Sequence, residues 1–385
     1  MIKSRLKIAH VIPDLDLNIT GGVGVCLRTL VQGLDRDRTE NMIVTFKSNQ
    51  RDRRFFEEME IPVFSCLDCS DLEFEPSLQM IEWLMQTFRA IRPDIVHTNL
   101  FWGDTLGRQA AYRAKVPVIV MTENNQDLRE TPRQRALKRK LANFTDRIIC
   151  VSEAVRSYVK AFDGIPDDRL SVIYYGIPLR NYEINDWKQS REFVFVGRIE
   201  PQKAPLRLID AFSEIATVHS DSTLSVIGDG SLLRECHERV EALGLTEKVR
   251  FWGYQPSPWE CATSGSIFVM TSEYEGQPLV VLEAMATGHL CILPDIPGIA
   301  EIAQTEKTAL IYKAGDRDSL VAAMRQVLAM PIDQRLQMIQ AARARVERDF
   351  DAQNMTEQLL NLYQTLYAQK NNENYEWRNS LWNQI

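Results

Sequence analysis

Phe193-Val194-Phe195-Val196-Gly197-Arg198-Ile199-Glu200-Pro201-Gln202-Lys203-Ala204-Pro205-Leu206-Arg207-Leu208-Ile209-Asp210-Ala211-Phe212 reads as three elements in succession. Four apolar residues make a buried strand, Gly197 opens a turn that carries two cations, and the apolar spacing that follows is that of an amphipathic helix. Arg198 and Lys203 then share one loop at the strand's carboxyl end. In open α/β sheets that edge is where ligands bind. A surface turn with two solvated cations is the alternative, and the glycine, the strand before and the helix after argue against it.

A second stretch lies downstream, Ser272-Glu273-Tyr274-Glu275-Gly276-Gln277-Pro278-Leu279-Val280-Val281-Leu282-Glu283-Ala284-Met285-Ala286-Thr287-Gly288. Pro278 lacks an N–H and suits a first helical turn, where donors have no intrahelical partner anyway. A helix beginning over Gly276 to Val280 would point the amides of Gln277 and Leu279, and the positive end of its dipole, at an anion. With eight helical residues at ~1.5 Å rise, Glu275 and Glu283 stand about 12 Å apart. One acid at each hydroxyl-rich end of a nucleotide-sugar, with the diphosphate between them, fits that span. Solvated glutamates are the blander reading of such a pair taken alone.

The chain has 385 residues, and a soft expectation of about 150 per domain favours two domains. Its net charge of −7 argues against non-specific nucleic-acid binding, which needs broad basic faces. Lys3, Arg5 and Lys7 precede an apolar run, but Pro13, Asp14 and Asp16 stop it short of a secretory signal, so it reads as a first buried strand. No run approaches the ~20 apolar residues of a membrane span, and the expectation is a soluble, cytoplasmic protein. The seven cysteines are scattered through mostly apolar segments, as reduced core thiols are. Cys66-Leu67-Asp68-Cys69 lacks the second Cys or His pair that zinc requires.

Strand-like runs alternate with helix-period runs along both halves, which predicts parallel sheets covered by helices. Ser77 to Ile91 shows the helical period clearly, with Leu78, Ile81, Leu84, Met85, Phe88 and Ile91 on one face and Ser77 as N-cap. Arg180 to Glu192 is polar and irregular, and the interdomain boundary is expected there. Gly21-Gly22-Val23-Gly24 follows the first strand and opens a helix, so the backbone at Gly22 can approach a diphosphate. The same glycines half-fit a dinucleotide fingerprint, but Leu27 stands where Gly or Ala belongs and no well-placed acid follows about twenty residues on. Asp316-Arg317-Asp318 and Asp349-Phe350-Asp351 sit in helical contexts rather than after a strand, and no catalytic metal is expected.

Together these segments resemble the retaining glycosyltransferases of the two-Rossmann architecture called GT-B, specifically the GT4 family, also known as glycosyl transferases group 1. Gly197-Arg198 and Lys203 fit its diphosphate clamp, and Glu275 and Glu283 fit its Glu-x7-Glu element followed by Ala-Met-Ala-x-Gly. The likeness runs through Gly21 to Gly24, Asp94 to His97, Val151 to Val155, Val172 to Ile177 and Pro297 to Glu301. It implies α/β architecture with two Rossmann-like domains facing a cleft: an acceptor domain over 1–188, a nucleotide-sugar domain over 189–350, and a helix over 351–370 that crosses back to the first. A polar tail, 371–385, carries Trp377, Leu381 and Trp382 and is either disordered or packed.

The resemblance implies metal-independent hexosyl transfer, with retention, from a nucleotide-diphosphate sugar such as a UDP-sugar to a sugar, lipid-linked or small-molecule acceptor, with no cofactor. Arg198 and Lys203 would stabilise the leaving diphosphate. Glu275 would orient the donor sugar and Glu283 the ribose, with Gly276, Gln277, Pro278 and Leu279 at the phosphates and the base near Tyr254. His97 and Asn124 are expected on the acceptor side. Three departures stand out. Asn124 occupies the place where the family commonly has a cleft histidine, Tyr175 replaces the usual Asn before Gly176, and Ala204 replaces Gly after Lys203. An amide cannot take a proton, so any base role at 124 is lost. That loss motivates a rival reading, a non-catalytic glycosyltransferase-like subunit. Lastly, Arg129, Arg133, Arg135, Lys138, Arg139 and Lys140 against Glu130 alone suggest docking on an anionic membrane.

Overall fold

The computed structural model describes residues 5–15, 21–67, 78–126, 130–182 and 187–382, those from 372 onward by backbone alone. The chain divides into two compact units, Met1–Tyr175 with Ala352–Ile385, and Gly176–Asp351.

In the first unit the strands are β1 (Leu6–Leu15), β2 (Thr39–Ser48), β3 (Val63–Leu67), β4 (Ile95–Asn99), β5 (Val118–Glu123), β6 (Arg147–Cys150) and β7 (Leu170–Val172). The helices between them are α1 (Gly22–Gly33), α2 (Gln50–Glu58), α3 (Leu78–Ile91), α4 (Phe101–Arg113), α5 (Pro132–Ala142) and α6 (Glu153–Tyr158). The pairings are parallel, in the order β3-β2-β1-β4-β5-β6-β7. The order reverses between β1 and β4, and that switch point is where a doubly wound sheet opens a ligand crevice. The central strands are buried on both faces: β5 reads as the apolar run Val118–Met121, whereas β4 is buried along its whole length although it carries His97, Thr98 and Asn99.

The second unit holds β8 (Glu192–Val196), β9 (Thr223–Ile227), β10 (Val249–Gly253), β11 (Ile267–Val269), β12 (Leu290–Pro294) and β13 (Leu310–Tyr312). Its helices are α7 (Pro205–Val218), α8 (Leu233–Ala242), α9 (Pro258–Cys261), α10 (Leu279–Ala286), α11 (Pro297–Ala300), α12 (Arg317–Ala329) and α13 (Ile332–Asp349). The parallel order is β10-β9-β8-β11-β12-β13, so here the switch point lies between β8 and β11. Phe193, Phe195, Leu208, Phe212, Val269 and Ile292 are at the heart of its core.

The last helix, α14 (Ala352–Trp382), returns to the first unit. Met355, Leu359, Leu360, Tyr363 and Leu366 form one stripe at helical spacing and pack against Leu6, Ile8, Ile95 and Val118 of the sheet.

Several expectations are corrected. The units divide after Tyr175 rather than at 188/189, because Ile177 bridges Asp351 and donates its N–H to Phe350 O, which ties residues 176–182 to the second unit. Residues 371–382 continue α14 instead of forming a separate tail; the side chains of Trp377, Leu381 and Trp382 lie outside the described residues. In α3, Ile81, Leu84 and Phe88 are buried but Leu78, the first residue of the helix, is 80% exposed. Ser77, Asp68 and Cys69 fall outside the described residues.

Candidate active site

The loops leaving β8 and β11 meet because these strands are neighbours at the switch point of the second sheet. They are joined by several hydrogen bonds. Thr271 Oγ1 donates to Lys203 O at 2.7 Å, Glu273 N to Gln202 O at 2.9 Å, and Gln202 Nε2 to Tyr274 O at 2.9 Å. On this scaffold Lys203 Nζ and Glu275 Oε1 form an ion pair of 2.5 Å, mostly buried on both sides. Arg198, on the same β8 loop, is exposed and donates to Gln202 Oε1 at 3.5 Å. The expected Arg198–Lys203 loop and its glutamate thus come together in one place. Gln202, the residue that stitches them, carries no signal in the sequence beyond its position in the loop.

Two details of backbone explain the local geometry. Ala204 adopts the left-handed conformation with φ 44° and ψ 52°, turning the chain from a short 3₁₀ segment (Pro201–Lys203) into α7. A glycine accepts that conformation without steric cost, whereas the Cβ of alanine does not. Gly298, in α11, lies so close under the Glu275 loop that a Cβ would stand 2.5 Å from Glu275 O and 2.7 Å from Gly276 O.

The helix after Glu275 begins later than expected. Pro278, with φ −76° and ψ 108°, is the N-cap of α10 and not part of its first turn, while Gly276 and Gln277 precede it in non-helical loop. The loop is buried and drawn toward Gly298 and the β8 loop, so it has no room to wind into a helix. The 12 Å figure for Glu275 and Glu283, which assumed continuous helix, therefore does not apply. The amides of Leu279 and Val280 occupy the first turn, where no intrahelical acceptor exists.

Glu283, on α10, accepts a hydrogen bond from Trp259 Nε1 at 3.0 Å. The indole in turn stacks on His289 at 4.8 Å between ring centroids. Nothing in the sequence around Trp259 singles it out for this role. Tyr254 follows the left-handed Gly253 at the end of β10 and is 46% exposed.

In the first unit, Gly22 is the exposed first residue of α1. His97 does not offer a ring nitrogen to a ligand. Its Nδ1 pairs with Tyr363 OH and its Nε2 with Thr122 Oγ1, each at 2.6 Å. Burial, with neighbouring His10 adding to it, lowers its pKa to about 3, so it is a neutral, satisfied core histidine. It borders a small cavity shared with Cys26, Asn99, Thr122, Tyr175 and Met355. Asn124 stands just beyond β5, where Tyr175 donates its hydroxyl to Asn124 Oδ1 and Asn124 Nδ2 donates to Thr122 O at 3.0 Å.

Two cations of the basic segment, Lys138 and Arg135, face inward instead of lying on the surface. Lys138 is buried, with Nζ 2.6 Å from both Glu123 Oε2 and Glu130 Oε1 and 3.6 Å from Asp163 Oδ2. Burial disfavours its ammonium, but the pull of Glu123 and Asp163 outweighs that and holds the amine above its ordinary value. Arg135 lies 3.9 Å from Asp163 and packs over Tyr158 and Phe162. Arg133, Arg139 and Lys140 face solvent; Arg129 lies outside the described residues. Among the described residues no helix is long and apolar enough to cross a membrane.

Comparison with known proteins agrees with this architecture. The family model "Glycosyl transferases group 1" matches residues 181–345, and "Glycosyltransferase Family 4" matches residues 20–181. The chain belongs to this family of glycosyltransferases, which move a sugar from a nucleotide-sugar donor. It is 28% identical to UDP-Gal:alpha-D-GlcNAc-diphosphoundecaprenol alpha-1,3-galactosyltransferase of Escherichia coli, over 67% of this chain and 72% of that one. It is 27% identical to lipopolysaccharide 1,6-galactosyltransferase of Salmonella typhimurium over 48% of this chain, a match spanning 53% of that protein. In structure it is similar to Anabaena HepE, solved with UDP and glucose, with a TM-score of 0.80 at 19% identity, over 94% of this chain and 100% of that one. The fold is thus GT-B, built from two Rossmann-like α/β domains.

Proposed function

We propose that this protein transfers a hexosyl unit from a UDP-sugar, with retention of anomeric configuration and without a metal ion, to a lipid-linked sugar acceptor. The observation that carries the reading is the Lys203–Glu275 ion pair at the switch point of the second sheet. Buried ion pairs are poor stabilisers, because desolvation offsets much of their attraction. One retained at a ligand-binding edge favours a chemical role. On this reading Lys203 exchanges Glu275 for a phosphate oxygen when donor binds, and the released carboxylate accepts hydrogen bonds from the donor sugar. Arg198, exposed and held by a long hydrogen bond to Gln202, closes on the same diphosphate with its planar fork of donors. Two cations and the first-turn amides of α10 then meet the charge that develops on the leaving group.

Glu283, oriented by Trp259, is assigned to the ribose hydroxyls and Tyr254 to the base. Asn124 is assigned to the acceptor side. The Escherichia coli relative acts on a diphosphoundecaprenol-linked sugar, and the lipid-linked acceptor is extended from it. Arg133, Arg139 and Lys140 would support peripheral contact with an anionic membrane, each contributing about 1 kcal/mol near the surface. Equal sedimentation with neutral and anionic vesicles would remove that contact.

The test is thermal-shift screening of UDP and UDP-hexoses, followed by NMR of the product anomer with and without EDTA. Donor at one hundred times its dissociation constant stabilises by about 2.7 kcal/mol. Strict dependence on a divalent ion, or inversion at the anomeric carbon, would sink the mechanism. Donor binding without turnover on any acceptor would favour the non-catalytic subunit, for which Asn124 and Tyr175 are the motive.

A further inference from the structure

Two of the departures from the family pattern, at 124 and 175, lie 51 residues apart in sequence and are the two ends of one hydrogen bond. Asn124 is the first residue past β5, on a loop, so nothing in the strand ladder fixes its side chain. Its neighbour Glu123 is taken up by Lys138. The orientation of the amide follows from chemistry. The atom 3.0 Å from Thr122 O faces a backbone carbonyl, which only accepts, so it is the nitrogen. The oxygen is thereby turned to Tyr175, and since an amide oxygen also only accepts, the phenol is the donor. Burial raises the Tyr175 phenol well above its ordinary value, so its proton is present at any working pH. The ring itself cannot wander, because it packs between two core clusters of the first unit and walls the cavity beside Asn99 and Thr122.

We propose that Tyr175 is a positioning residue that locks the Asn124 amide with its remaining N–H directed at the acceptor, so that the two side chains act as one non-titrating donor. This rests on the reading that Asn124 lines the acceptor side. In place of an imidazole that could take up a proton, the pair offers a fixed hydrogen-bond donor to a hydroxyl oxygen of the acceptor sugar. The proton of the attacking hydroxyl is then left to the departing phosphate.

The experiment compares Tyr175→Phe, Asn124→Ala and the double variant with the parent chain. The first readout is crystallographic and needs no ligand: in Tyr175→Phe the Asn124 amide takes another rotamer or several. The second is turnover of UDP-galactose and UDP-glucose, with water and with alpha-D-GlcNAc-diphosphoundecaprenol as acceptors, at temperatures well below melting. Each single variant lowers kcat/KM two- to tenfold, the worth of one neutral hydrogen bond, with donor KM unchanged. The double variant is no slower than Asn124→Ala alone, because a positioning residue has nothing left to position. An unmoved Asn124 in the Tyr175→Phe crystal, or additive losses in the double variant, overturns the proposal. If Asn124→Ala loses turnover and Tyr175→Phe does not, only the role of Tyr175 fails. If Asn124→Ala turns over normally, the acceptor-side reading of Asn124 fails first.

Discussion

Lys203 and Arg198 share a loop but stand in different environments, and their substitutions should separate accordingly. Arg198 is exposed, with one long hydrogen bond to Gln202. Arg198→Ala should therefore lower turnover by about 10²–10³, the worth of one donor aimed at developing charge, and leave the urea midpoint unchanged. Lys203→Ala should lose as much turnover and also destabilise, because it strands the mostly buried Glu275 without its partner. Near-normal turnover in both variants would remove the clamp. Ala204 invites the opposite experiment. Its left-handed backbone carries about 1–2 kcal/mol of strain, of which the extra freedom of glycine in the unfolded chain takes back about 0.4–1 kcal/mol. Ala204→Gly should raise the stability of the second unit by about 0.5–1 kcal/mol. An unfolding midpoint that falls would show the strain is not there.

At the scale of elements, the site depends on three pieces held in register: the β8 loop, the β11 loop and α11. Gly298 lets α11 lie directly beneath the carbonyls of Glu275 and Gly276, and those neighbours are backbone that cannot rotate away. A methyl group there must push the Glu275 loop outward. Since displacement of about 1 Å in a reacting geometry can cost about 10² in rate, Gly298→Ala should lower turnover at least about tenfold. Donor-free crystals would show the Lys203–Glu275 distance lengthened. Unaltered turnover, with the loop in place, would mean the contact is softer than its geometry indicates. The helix α5 carries a different lesson. Its run of cations looked like a surface for anions, yet Lys138 and Arg135 face inward to acids contributed by β5 and by residues 130 and 163.

For the molecule as a whole, buried histidines set the pH response. Burial lowers His10 to about 4 and His97 to about 3 in the first unit, and His289 to about 4 in the second. These folded values lie below the 6.5 of an unfolded imidazole, so the unfolded chain binds more protons between them. The stability they represent is present above pH 6.5 and is lost as pH falls toward 4. At pH 5 each imidazole costs about 2 kcal/mol, from 1.36 kcal/mol for each pH unit below 6.5. Urea unfolding at pH 5 should therefore show a lower midpoint than at pH 7 for the second unit. In the first, Glu123, which burial raises to about 7, takes up a proton on folding over the same range and offsets part of the loss from the two histidines. A second-unit midpoint that holds or rises on acidification would contradict the neutral, buried state of His289.

What the sequence by itself determined is what neighbouring residues decide among themselves. The run of β8, the turn at Gly197 and the amphipathic α7 are legible because a buried parallel strand is a continuous apolar run and a helix repeats every 3.6 residues. The alternation of such segments carries the doubly wound class, and the spacing of Arg198, Lys203, Glu275 and Glu283 carries the family. Strand order belongs to the tertiary structure. Only the adjacency of β8 and β11 brings Lys203 against Glu275 across 72 residues, and it is packing on Gly298 and the β8 loop that keeps the Glu275 loop from winding into α10. The same holds for His97, Lys138 and Tyr175: a histidine, a cation and a phenol look functional or inert alike in a sequence. Their partners Tyr363, Glu123 and Asn124 come from distant segments, and it is burial against those partners that decides which protons and charges remain available for chemistry.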